Sequence, residues 1–320
     1  MSSLPIFSEA DDRPHRPESD PLWQESSLFV WHDRAAGLGG FWRLGQEPGR
    51  DALNSCFGLF TDDGLRFRSN VTGAPMTAAD RGEGHMGWGP HLRVDFDGDA
   101  FIRADFADCE VDLRFSDFHP RFDYMAMVAA GGVRLTGAAH HFEVAGRMTG
   151  AVRIGDREIV IDALGYRDRS WSRRDWSMIR GTRWWPCVFG PDLSLHVMHL
   201  LRDGSGVLKL GYLRRGGDVI PILDSDMTVA LESDALTPRE GAARLRLASG
   251  ETLTVRANRI DGVVMHVRGY TAVECIGLAE LDGRIGMSNL EVCTNPAGGS
   301  APPIYALGSN NGDGLSRRPA

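Results

Sequence analysis

At 320 residues the chain is too long for a single small module and fits two domains or one large β domain. With 42% hydrophobic and 24% charged residues it can bury a sizeable core, which excludes wholesale disorder. Its 43 acidic and 35 basic residues leave a net charge of −8, so no global basic field favours nucleic acid or an anionic membrane.

Taken in chain order, the first 24 residues are acidic and Pro-rich and read as a mobile leader (1–24) without a signal-peptide pattern. From there the stretches 28–33, 91–96, 109–115, 193–201, 242–247 and 252–257 alternate apolar and polar residues near period two, as half-buried strands do. Turn signals such as Asp62-Asp63-Gly64, Asp97-Gly98-Asp99, Gly131-Gly132, Asp203-Gly204, Gly216-Gly217 and Asp282-Gly283 fall between them, as antiparallel hairpins require. With few long 3.6-period stretches, the chain reads as all-β, in sandwiches or barrels. All eight tryptophans precede residue 186. That change in composition places a boundary near 171–178, giving an N-terminal domain over 25–172, a C-terminal domain over 173–297 and a mobile Gly/Pro/Ser-rich tail over 298–320. No apolar run reaches the roughly 18 to 20 residues a membrane helix needs. Five scattered cysteines fit reduced, buried thiols in a cytoplasmic protein.

Several clusters could carry chemistry. Residues 82–91 form a Gly-rich segment without a phosphate-loop lysine, so an aromatic lid around Trp88 or an ordinary hairpin loop is the reading, not a nucleotide cradle. In His140-His141-Phe142-Glu143, period two sends His140 and Phe142 to one face and His141 and Glu143 to the other. The densest cluster, residues 165–176, packs Tyr166, Asp168, four arginines, Trp171 and Trp176 into one stretch. It reads either as an inter-domain latch of Arg–Asp pairs or as a pocket wall in which Asp168 is a proton donor or base. His196 and His199 lie three apart, on opposite strand faces and hence not a metal pair. Glu274 and Glu280 share a face, costly if it is inward and unpaired. No cysteine or histidine spacing marks a zinc site, and no nucleophile elbow, kinase, P-loop or dinucleotide fingerprint is present.

The run from His140 through Gly146, then Gly150-Ala151-Val152 and Ile159-Val160-Ile161-Asp162 leading into residues 165–176, resembles carotenoid 1,2-hydratase (hydroxyneurosporene synthase) and AttH-like proteins. The resemblance spans most of the chain and is most specific over 140–176. It implies a calycin fold, two lipocalin-like antiparallel β-barrel or sandwich domains packed side by side, with tocopherol cyclase and lipocalin-type Diels–Alderases as distant relatives. Tyr166 with Asp168 matches the family's Tyr-x-Asp element, and His140 with Phe142 its upstream His-x-aromatic pair. Many relatives read Arg-Asp-His-Ser-Trp-Gly where this chain has Arg169 and Ser172, so a histidine next to the acid is missing.

The expected function is a cofactor-independent hydratase or dehydratase on a hydrophobic isoprenoid-like or polycyclic molecule, with no metal and no nucleic acid. Asp168 would be the acid, Tyr166 its orienting partner and His140 the group that handles water. Trp171 and Trp176 would stabilise a carbocation, and Phe142, Trp88, His199 and Glu280 complete the substrate-binding set. The other readings are a non-catalytic carrier of a hydrophobic ligand, and a cyclase or isomerase on a similar substrate.

Overall fold

The computed structural model describes residues 5–130, 139–202, 206–296 and 313–318, and it is all-β as the alternation predicts. Strands β1 (Trp23–Asp33), β2 (Leu38–Glu47), β3 (Ala52–Thr61), β4 (Leu65–Pro75), β5 (Arg81–Gly82), β6 (His85–Trp88), β7 (Leu92–Asp97), β8 (Asp99–Phe106), β9 (Cys109–Asp117), β10 (His140–Ile154) and β11 (Arg157–Arg173) form one curled antiparallel sheet. Strands β12 (Gly181–Gly190), β13 (Leu193–Arg202), β14 (Gly206–Arg215), β15 (Asp218–Leu231), β16 (Pro238–Leu247), β17 (Thr252–Val267), β18 (Tyr270–Leu281) and β19 (Arg284–Thr294) close a barrel. A final strand, β20 (Gly314–Arg317), adds to β4 at one edge of the first sheet, whose other edge is β5. The sheet therefore curls without closing, and the two units match a pair of lipocalin-like domains. One short helix, α1 (Tyr124–Ala130), precedes β10.

Burial along each strand shows what its two faces meet. β7, β8 and β9 alternate buried and wet positions, the pattern of a sheet with solvent on one side. β1 and β2 are buried at every position, because both of their faces are covered. On the inner face Phe29, Trp31, Trp42 and Leu44 join the core of the curled sheet. On the outer face Leu28, Val30 and Phe41 pack with Val263, Met265, Ile276 and Met287 from the outside of the barrel. The barrel has a separate interior, built on Trp185, Leu195, Leu245 and Val255. The chain passes from one unit to the other between Arg173 and Gly181. All five cysteines are free thiols and buried.

The leader that composition assigns as mobile is, in its described part, tied into the inner mouth of the first sheet. Phe7 N–H donates to the Arg121 carbonyl at 2.8 Å, and Asp12 is 3% exposed. Arg167 grips the Asp12 carboxylate with two N–H groups at 2.8 and 2.9 Å and Asp117 with two more at 2.7 and 2.8 Å. Arg169 donates to the Asp12 carbonyl at 2.8 Å and to Glu25 at 2.7 Å. The reason is electrostatic: two arginines turned into a covered face need carboxylates, and the leader supplies one. Most of the segment 298–320 lies outside the described residues.

Burial alone would raise the Asp12 carboxyl, but the surrounding arginines, Arg167 foremost, bring it below its ordinary value. Its stabilising contribution is thus present above the unfolded carboxyl pKa of about 4 and is lost on acidification. Asp12→Ala is expected to lower stability at neutral pH by about 3 kcal/mol, read as the urea midpoint. A midpoint equal to the parent's would show that the leader does not anchor the sheet.

Candidate active site

In an extended strand successive side chains leave on opposite faces, and the cluster in β11 obeys this strictly. Arg167, Arg169 and Trp171 turn to the inner face, where Arg169 faces Phe96 and Trp171 stacks on His15 and His140 at ring separations of 3.9 and 5.2 Å. Tyr166, Asp168 and Ser170 turn to the outer face. On neighbouring β10, Glu143 is paired in register with Asp168, so His141 and Glu143 share that outer face while His140 and Phe142 go with the arginines.

The outer face of β10 and β11 meets the outside of the barrel around a cavity of about 150 Å³. His141 Nε2 lies 2.9 Å from Asp168 Oδ2 and 3.3 Å from Glu143 Oε1. Burial would depress this imidazole, yet the Asp168 carboxylate and then Glu143 outweigh it and lift the pKa to about 10. His141 is therefore an imidazolium at neutral pH. Glu143 is a buried hub: Oε2 accepts from Tyr166 at 2.7 Å, Oε1 accepts from Trp184 Nε1 at 3.0 Å, and His196 Nδ1 stands 3.2 Å from Oε2. Tyr166 has spent its one proton on Glu143, so the Tyr212 hydroxyl 2.7 Å away donates to Tyr166. Burial would raise Glu143, but His196, His141 and the Tyr166 hydroxyl bring it down to about 2. Tyr124 of α1 closes this end, its ring against His141 and His196.

The barrel contributes a second pair of acids. Glu274 and Glu291 are cross-strand partners on β18 and β19, and both line the cavity. Glu274 Oε2 accepts from Asn289 Nδ2 at 2.8 Å, while Oε1 meets no N–H or O–H donor among the described residues. Glu291 accepts from Tyr270 at 2.9 Å and from the Thr182 hydroxyl. Burial first, then their mutual repulsion, pushes Glu274 well above the usual carboxylate range, and burial pushes Glu291 up. Two buried cross-strand carboxyls repel each other when both are ionised, which makes this pair the natural place in the cavity for a retained proton.

Among the sequence-predicted residues, Asp168 and Trp176 line the cavity and Tyr166 lies directly behind it through Glu143. His140, Phe142 and Trp171 are on the opposite face of the same strands, against the leader. Trp88 is on β6 beside His91 and Phe106. His199 bonds Ser225 at 2.7 Å and does not line the cavity, whereas His196 is in the Glu143 cluster. Glu280 shares a face with Glu274 as the spacing demands. That face is the outside of the barrel, buried beneath the first sheet at Glu274 and exposed at Glu280. The Arg–Asp latch expected at Arg174 is replaced by a hydrogen bond from Arg174 Nη2 to Ser170 Oγ at 2.8 Å. His141, Glu143 and Glu274 were placed on their strand faces by the sequence but given no role, and Trp184 and Glu291 escaped it. Period two did place the first two together, but nothing marked their face as the covered one.

His141, Glu143 and Asp168 bring donor atoms within 4.8 Å of one another and could hold a metal ion. Both Glu143 oxygens, however, already accept protein donors, and a metal would have to displace the proton that His141 shares with Asp168.

Two antiparallel β domains enclosing an acid–base cavity at their junction define a two-domain lipocalin-type protein. The chain belongs to a family described as a domain of unknown function, DUF7064, whose profile matches residues 8–296. Among solved structures it is similar to a protein described as an AttH from Nitrosomonas europaea, with 13% identity and a TM-score of 0.64 over 92% of this chain and 98% of that one. It is also similar to CghA with Sch210972, at 12% identity and TM-score 0.62 over 86% and 89% of the two chains. Kievitone hydratase from Nectria haematococca matches at 10% identity and TM-score 0.61, over 92% and 94%. Curated protein sequences give no significant match. At these identities the likeness speaks to fold, and in fold it bears out the resemblance to AttH-like proteins.

A raised histidine pKa stabilises the fold fully below about pH 6.5, and that contribution is lost as pH climbs to about 10. His141→Gln should therefore cost about 3–5 kcal/mol near neutrality, with the difference from the parent shrinking steadily above pH 6.5. Equal losses at pH 6 and pH 10 in chemical denaturation would show that His141 is not the cation between these carboxylates.

Proposed function

We propose that this protein is an acid–base lyase of the hydratase or dehydratase type, acting on a hydrophobic small molecule in the inter-domain cavity with proton donor and acceptor both drawn from its own side chains. The observation that carries this reading is the pairing of a protonated diacid, Glu274 with Glu291, and a carboxylate held by an imidazolium, Asp168 with His141, on the walls of one cavity. A group that must give a proton at pH 7 has to be protonated there, and a group that must take one has to be ionised. Burial pushes the Glu274 and Glu291 carboxyls up, while Asp168 is paired with the His141 ring, a division that suits separate acid and base roles.

In hydration, the diacid proton goes to one carbon of a double bond. Water loses a proton to Asp168, its oxygen bonds to the other carbon, and exchange with solvent resets both groups. Elimination is the reverse. This moves the donor role expected for Asp168 to Glu274 and leaves Asp168 as the base. Tyr166 orients the site through Glu143, and Trp184 takes the place of Trp171 as an aromatic wall. Kievitone hydratase, by its name a hydratase, and CghA, solved with Sch210972, share this fold, which is in keeping with such chemistry here. An isoprenoid substrate is the choice that the carotenoid hydratase resemblance suggests. The five buried thiols favour a reducing compartment, in line with a cytoplasmic location. The apolar walls formed by Leu28, Met198, Leu200 and Met265 support the second reading, a carrier.

Incubation with a panel of terpenoid, prenylated and unsaturated aromatic compounds in ¹⁸O-labelled water tests this directly. The parent should add labelled water to at least one compound, and Glu274→Gln and Asp168→Asn should each slow that reaction by about 10²–10⁴-fold. Binding of panel members without any mass change would instead establish the carrier.

A further inference from the structure

Four of the most deeply enclosed side chains in the protein are arginines, Arg66, Arg68, Arg167 and Arg169, and each faces a carboxylate from Asp12, Glu25, Asp117 or Asp261. Two cavity arginines break that rule. Arg43, on the outer face of β2 and 5% exposed, donates no hydrogen bond to any described residue, and its Nη2 is completely enclosed. Among the described residues the Arg174 guanidinium donates only to Ser170 Oγ, which meets Ser26 Oγ at 2.9 Å. Both guanidiniums lie over the Trp176 ring, at 5.6 and 5.0 Å from its centroid. Among the described residues, no carboxylate comes within ion-pair distance of either. The acid that acts most strongly on both is Asp168, which His141 already holds at 2.9 Å, with Glu274 and Glu291 contributing less.

The arrangement is also built to keep Arg43 where it is. A Cβ at Gly45 would stand 2.9 Å from Arg43 Nη1 and 3.2 Å from Nη2, so a glycine two residues on leaves room for the guanidinium to fold back along its own strand. Buried unpaired charge is expensive, and two adjacent like charges more so. Burial, and then Arg43 beside it, brings Arg174 down to about 10.

We propose that the cavity takes an apolar organic acid whose carboxylate sits between the Arg43 and Arg174 guanidiniums beside Trp176. The proposal rests on the acid–base reading of the same cavity and names its substrate class. Planar guanidinium forks match a carboxylate in geometry and charge. The remaining walls, Leu28, Met198, Leu200, Met265 and Trp184, suit an apolar body. At about 150 Å³ the enclosed space holds roughly one aromatic ring, and the half-exposed Met178 at its rim leaves a way out for a longer chain. Charge also selects the double bond. Two guanidiniums and the His141 imidazolium oppose a carbocation but stabilise an anion. This favours an alkene conjugated to the carboxylate over an isolated one. Water oxygen then bonds to the far carbon, the π electrons move toward the carboxylate, and the diacid proton lands on the near carbon.

The test uses trans-cinnamate and its methyl ester, followed by tryptophan fluorescence and calorimetry at pH 7, with ¹⁸O-labelled water in parallel. The parent should bind the acid roughly 10- to 100-fold more tightly than the ester. Arg43→Met and Arg174→Met should bind the ester as the parent does and lose the preference for the acid. Arg43→Met removes an uncompensated buried charge, so its melting temperature should equal or exceed the parent's. Glu274→Gln should keep the acid preference and lose hydration. Equal binding of acid and ester by the parent, a preference that survives Arg43→Met, or no binding of either probe would each overturn the proposal. An acid preference without labelled product from any α,β-unsaturated acid would uphold the carboxylate site and overturn the lyase reading instead.

Discussion

Arg167 and Arg169 stand on either side of Asp168 in sequence, yet the strand sends them to the face it does not occupy, and the architecture of both domains follows from that separation. Had the three shared a surface, the guanidiniums would have neutralised the aspartate. Instead they are left on the inner face, where their charge draws in Asp12, Glu25 and Asp117. Asp168 is left on the outer face for His141. The same two-residue period that closes the inner mouth of the sheet thus keeps a carboxylate available on the side where the barrel docks.

What fastens the docked faces is a second constraint, the buried Glu143 carboxylate. Its donors come from both domains, Tyr166 from β11 and Trp184 from the barrel strand β12, with the His196 ring of β13 standing 3.2 Å away. A charge in such a place is tolerated only when its lone pairs are filled. Neither domain alone can fill them, so the cavity between the domains exists only in the docked arrangement. Its acids are likewise divided, with Asp168 on one wall and Glu274 and Glu291 on the other.

The sequence was legible wherever one face of a strand is wet. β7, β9, β16 and the first half of β17 announce themselves by alternation, and the all-β architecture follows from them. Where both faces are covered, as in β1, β2 and β18, alternation no longer says which face meets what. That is why Glu274 and Glu280 were correctly put on one face while the chemical weight fell on the exposed member. It is also why His140 was preferred to His141. Asp168, Tyr166 and Trp176 could be found because they are crowded into twelve residues. The pairing of Glu274 with Glu291 has no local trace, since only the register of β18 against β19 brings them together. Arg43 offered no signal either, being one arginine among many until the structure shows it without a carboxylate.

The bond between Arg167 and Asp12 joins positions 155 residues apart, and that between Arg169 and Glu25 spans 144. During synthesis Asp12 leaves the ribosome well ahead of its partner, by roughly 10 to 30 s at ordinary elongation rates. For that interval β1 through β4 can pair as a meander, but β1 has an open edge until β11 arrives. Contacts of such long range are slow to form, and an unpaired edge in the meantime is a template for other chains. The stretch most exposed to association between nascent chains is therefore β1, the strand on which the finished domain interface is built.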